Sequence, residues 1–364
     1  MLTAACLSLA VAAAPPMSQV MESLATLQPL LAQPEAFRAP ENAQRVAQAL
    51  ELLAKVEHPF NRGVPMPSGS VEQLFTRQAA AAALDYSRGR HEAARQRGRT
   101  LSQLCIGCHA REPAKDFADA EKKAEALKLT PLQQAQFYAT TRQVDRALAL
   151  WKVELSKPVK QDPELFEQLD ALRLALRVLV PMKDEAREVR ALLVPQLSRK
   201  DLPEFVRGEL VAWEKDAKAW EAERFVAKGK TAAELLAKAK GLVAASQAEK
   251  VITAQPMHFV KLLRAASYLD EALRREPTGA QRGELLYLLG VAAATTADIP
   301  LWELEGMFLE ACIRESPHTP RAATCAARLK ARTYVTWNNN RDIPADVWRG
   351  MTELMALAQP EAKP

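Results

Sequence analysis

From about Met17 onward the chain is a succession of Ala- and Leu-rich amphipathic runs separated by Pro, Gly and Asp, with almost no runs of β-branched residues. Strands are built from Val, Ile, Thr and aromatics packed on a pleated face, whereas Ala, Leu, Glu, Lys and Arg lose little on entering a helix. The pattern predicts an all-α protein. A chain of 364 residues with 48% hydrophobic content has material for two or more sizeable cores. The net charge of +5 is modest and spread along the chain. It forms no basic stripe, so nucleic acid is not an expected partner.

Pro and Gly punctuation divides residues 17 to 112 into four helical runs. The first is expected from Met17 to Ala32 and the second from Glu41 to Val56. After the Pro- and Gly-rich loop His58 to Gly69, the third spans Val71 to Tyr86, and the fourth begins beyond the turn at Gly89. On the fourth, Ala94, Gly98, Leu101, Cys105 and Cys108 recur at spacings of four and three, the seam of a helix bundle.

That helix ends in Cys105-Ile106-Gly107-Cys108-His109, the C-x-x-C-H pattern of covalent haem attachment. Two thiols one helical turn apart can add to the two vinyl groups of a single porphyrin, and a His directly after the second Cys reaches the iron as axial ligand. A zinc site would need a second Cys/His pair at ligand spacing, and the other Cys stand singly. The expectation is one covalent haem c held by Cys105 and Cys108, with His109 as proximal ligand. In an up-down-up-down bundle, the end of helix four lies beside the start of helix one and the loop after helix two. Met17, Met21, His58 and Met66 are therefore the candidates for the distal position. His91 shares the seam but sits 18 residues before His109, about 27 Å along a straight helix, and cannot ligate the same iron.

With its motif near the end of the last helix, this third of the chain resembles the four-helix-bundle class II cytochromes, which include cytochrome c-prime. Val20-Met21-Glu22-Ser23-Leu24 is similar to the segment from which low-spin members take their second ligand, and Asn42 to Leu50 is similar to their second helix. The resemblance implies Met21 as distal ligand. The chain departs from the family in its Ala110-Arg111-Glu112-Pro113 tail and in a longer gap between helices one and two. Arg88, Arg90, Arg95, Arg97 and Arg99 read as a solvated face, while Arg62 and Arg111 are better placed for haem propionates.

Residues 1–14 are apolar and small and end in Ala12-Ala13-Ala14 before Pro15-Pro16, like the h-region and cleavage site of an export signal, though without its basic n-region. The stretch is too short to span a bilayer. Covalent haem also calls for an oxidising, exported location, so the periplasm is expected, with lipid attachment at Cys6 a minor alternative because Leu2 stands one place too far for a good lipobox. The bundle is then residues 15–113, and a second helical domain is expected over 116–358.

The second domain shows helical runs separated at Thr130-Pro131, Asp162-Pro163, Pro181, Leu202-Pro203, Pro256, Glu276-Pro277 and Ser316-Pro317. Ala265 to Pro277, followed by Leu289-Gly290, resembles a tetratricopeptide repeat, and Gln143 to Leu155 is a more degenerate likeness. The resemblance implies α-α hairpins that dock a redox or envelope protein. Cys312 and Cys325 flank Ser316-Pro317-His318-Thr319-Pro320 and form a candidate disulfide across two antiparallel helices, two buried thiols being the alternative. The expected function is one-electron transfer rather than catalysis. A five-coordinate, gas-binding or gas-sensing cytochrome is the alternative, and a peroxidase would need an acid/base group for which His58 is the evident candidate.

Overall fold

The computed structural model describes residues 17–55, 70–109, 129–159, 162–248, 257–275, 279–296, 303–337 and 343–360. Among these the fold is all-α: helices α1 (Met17–Ala32), α2 (Pro34–Arg38), α3 (Ala43–Ala54), α4 (Ser70–Ser87) and α5 (His91–His109) precede α6 (Pro131–Thr140), α7 (Val144–Leu155), α8 (Asp162–Lys183), α9 (Ala186–Leu197) and α10 (Glu204–Glu221). They are followed by α11 (Ala232–Ala248), α12 (Phe259–Arg274), α13 (Gly279–Thr296), α14 (Glu303–Glu315), α15 (Pro320–Thr336) and α16 (Ala345–Ala358). No described helix is long and apolar enough to cross a membrane.

Helices α1, α3, α4 and α5 close a four-membered ring, each packed on the next and α5 returning to α1. Their apolar stripes meet in a core of Val20, Leu24, Leu27, Leu31, Val46, Leu50, Leu53, Phe75, Ala79, Ala94 and Leu101. The long gap after α1 holds structure that periodicity does not reveal. Pro34 opens α2 and Pro40 opens a short 3₁₀ turn, so the helix expected from Glu41 begins instead at Ala43. Phe37 of α2 is completely buried, meets the Tyr86 ring edge-on at 5.4 Å and accepts a hydrogen bond on its carbonyl from the Tyr86 hydroxyl at 3.3 Å. His91 stacks on Tyr86, with centroids 4.7 Å apart. This aromatic plug seals the bundle at the end remote from His109.

The remaining helices form antiparallel hairpins stacked in series, with two cores. Trp151, Trp213, Phe137 and Phe259 anchor the first, and Tyr268, Leu269, Leu286 and Leu309 the second. Thr130 starts α6 with a reciprocal capping box to Gln133. Pro181, expected to mark a turn, lies inside α8, where its missing N–H forgoes one hydrogen bond in the last turn, and the break comes at Asp184, with φ of 48°. Where the cores meet, the buried Arg264 lies over the Trp220 ring at 4.5 Å and donates to Glu223 at 2.9 Å. At Leu289-Gly290, a Cβ on Gly290 would stand 3.3 Å from the Leu309 side chain, so the missing side chain lets α13 and α14 approach closely.

Bundle and array are joined along two lines. Helices α1 and α5 pack on α6, α5 also touches α8, and Ala25 of α1 belongs to the first core of the array. On the other side α14 lies against α4, where Met307 is buried within the bundle core. Cys312 of α14 and Cys325 of α15 are joined by a disulfide with Cα atoms 6.4 Å apart.

Candidate haem-attachment site

The motif occupies the last turns of α5, whose backbone remains helical through His109. The side chains of Cys105, Cys108 and His109 lie outside the described set, but a continuous helix puts positions 105, 108 and 109 on one side, one turn apart. The stripe Arg95, Gly98, Ser102 continues through position 105 to 109, and at each described position it touches α1.

Arg95, little exposed, donates from Nη1 to the carbonyl of Leu31 at 2.7 Å, satisfying one of the last free carbonyls of α1. One turn on, a Cβ at Gly98 would stand 2.6 Å from Leu31 Cδ2, so a larger residue there would have to push the Leu31 side chain aside. At the next turn Ser102 Oγ donates to Gln28 Oε1 at 3.2 Å, and both side chains are buried. As α5 advances from 95 to 102, its partners on α1 retreat from 31 to 28, so the helices run antiparallel. By ideal helix geometry, two further turns along each helix from the 102–28 contact would bring position 109 level with residue 21. Met21 is only 5% exposed and shares a helical face with Gln28. The donor set of two Cys and a His on one helix end, with a buried Met level with that His on the neighbouring helix, fits a haem.

Of the other candidates, Met17 begins α1 with its side chain outside the described set, and His58, Met66, Arg62, Arg111, Cys6 and residues 1–14 all lie outside the described residues. Among the described residues no group of three His, Cys, Asp or Glu side chains is arranged to hold a metal.

The arginines of α5 are not simply a solvated face. Arg90 and Arg97 converge on the buried Asp85, each donating from Nε at 2.8 Å. Burial alone would raise the Asp85 carboxyl, but hydrogen bonds from Arg97 and Arg90, with their charges, hold it below the ordinary aspartate value. Arg97 also donates to Gln78 Oε1 at 2.8 Å, and the Gln78 amide donates to Glu303 of α14. A charge that reads as solvent-facing thus belongs to a relay from α5 through α4 to the array, and neither helical periodicity nor local composition signals a partner so distant in sequence.

No known family, curated protein or solved structure matches the chain.

Proposed function

We propose that this chain is a periplasmic monohaem c-type cytochrome that transfers single electrons, with the helical array docking a redox or envelope partner. The observation that carries the reading is the C-x-x-C-H run at the C-terminal end of α5, a helix packed on α1, where Met21 is buried. Cys105 and Cys108 would hold the porphyrin by thioether bonds, and His109 and Met21 would close the coordination of its iron. The haem supplies a one-electron couple. The chain would contribute one iron donor from each of two helices, His109 of α5 and Met21 of α1, and a thioether paired with an imidazole would set a higher potential than two imidazoles. With both of these donors supplied by side chains, the iron would suit electron transfer better than binding a gas. The Cys312–Cys325 disulfide supports an oxidising compartment. Hairpin stacking supports a docking role for the array, as do side chains such as Phe166, Phe205 and Trp348, each roughly half exposed.

Expression with haem-attachment machinery tests the reading. The polypeptide should gain the mass of one haem and keep its colour through acid-acetone extraction, and the oxidised spectrum should be low-spin with a long-wavelength Met-to-iron charge-transfer band. Met21→Ala should abolish the band and turn the spectrum high-spin. A colourless wild type would end the cytochrome reading, and a high-spin wild type would replace it with the five-coordinate, gas-binding one.

A further inference from the structure

We infer that Gln28 and Ser102 are a positioning pair that fixes the register of α1 on α5 and thereby holds Met21 level with His109, an inference that rests on the haem reading above. The placement is symmetrical. Gln28 lies seven residues after Met21, and Ser102 lies seven before His109. Seven residues are two helical turns, about 10.5 Å of rise, and return to the same face. In an antiparallel pair, contact between 28 and 102 therefore brings 21 and 109 to one level.

The neighbouring apolar contacts cannot set that register alone. Val20, Leu24, Leu27 and Leu31 are apolar knobs, and the groove they enter repeats every turn, so a slipped pairing still buries them. The closeness at Gly98 fixes how near the helices come, not their level. The neutral pair is different, because sliding α1 by one turn would leave a buried amide oxygen and a buried hydroxyl without each other. A buried polar side-chain pair inside a largely apolar seam is an established way of selecting register at some expense in stability, and it acts here beside the bond from Arg95 to the Leu31 carbonyl.

The test uses the full, haem-loaded, oxidised chain and reads the Met-to-iron charge-transfer band together with the pH at which it is lost. Gln28→Met keeps the length of the side chain and Ser102→Ala its helix propensity, so both should remain folded, as far-ultraviolet circular dichroism would show. Each should raise the fraction of molecules lacking the band by roughly fivefold, the equilibrium change expected for one hydrogen bond. The double variant should be no worse than either single one, and Ser102→Thr, which retains the hydroxyl, should keep the wild-type band. In a haem-free Cys105→Ala/Cys108→Ala background, a double-mutant cycle on thermal unfolding should show coupling between positions 28 and 102. A wild-type band that persists unchanged in Gln28→Met and Ser102→Ala, or absence of coupling in the haem-free chain, overturns the pair while leaving the cytochrome reading intact. A wild type without the band overturns Met21 ligation and the pair together.

Discussion

The two ends of the N-terminal bundle are built from different chemistry. At the end remote from the motif, Phe37, Tyr86 and His91 interleave their rings, and the buried Asp85 is clamped by two arginines. Toward the motif end, the α1–α5 seam narrows to a glycine, a serine and a glutamine. The first arrangement tolerates no slack and carries large burial terms. The second contributes little to stability and much to alignment. Substitutions at the two ends should therefore separate: those at the plug cost stability without changing the spectrum of the haem-loaded protein, and those on the seam change the spectrum at a small cost in stability.

The largest effect is expected at the plug. Phe37→Ala should destabilise by about 3–5 kcal/mol in denaturant unfolding, with an unchanged charge-transfer band in the fraction that stays folded. Replacing Cys312 and Cys325 by Ser should cost about 3 kcal/mol, the loop-closure entropy of a span of this length, and also leave the band untouched. Asp85→Asn should cost about 2 kcal/mol, because it removes charge-assisted bonds yet leaves partly exposed arginines that water can solvate. Since the folded-state carboxyl of Asp85 titrates below its ordinary value, its stabilisation is fully present above about pH 4 and lost as pH falls through the folded value. The gap in melting temperature between wild type and Asp85→Asn should accordingly close in acid. The smallest stability effect, about 1–2 kcal/mol, is expected for Gly98→Ala, where a methyl group must displace Leu31. Its band should nevertheless weaken, and an intact band there combined with a lost band in Phe37→Ala would reverse the comparison.

How much of this is legible in the residues depends on the range of the contact. α1 ends at Ala32, as its punctuation predicts, and α4 ends at Ser87, within one residue of expectation, because breakers are local properties. The C-x-x-C-H run is equally local. The short helix α2 escapes because five residues are too few for a period to show, and Pro34 and Pro40 read as mere breakers. The relay from Asp85 to Glu303 escapes for another reason: Gln78 and Glu303 are 225 residues apart, and a helix face carries no sign of which distant helix will cover it. Gln28 and Ser102 are ordinary surface residue types. Their burial follows from α5 carrying a glycine at 98, a consequence visible only once the helices are packed.

The burial of Met307 in the bundle core also bears on the order in which the protein assembles. The chain emerges N-terminus first, and the other core residues of the bundle are all present once Leu104 has been made. The core is complete only when α14 arrives, roughly two hundred residues later, carrying Met307 to α4. Until then a helix face that ends up dry remains wetted, and the bundle waits on the array for its last wall. Such a delay leaves the bundle loose until α14 docks and firm only when the whole chain has closed around it.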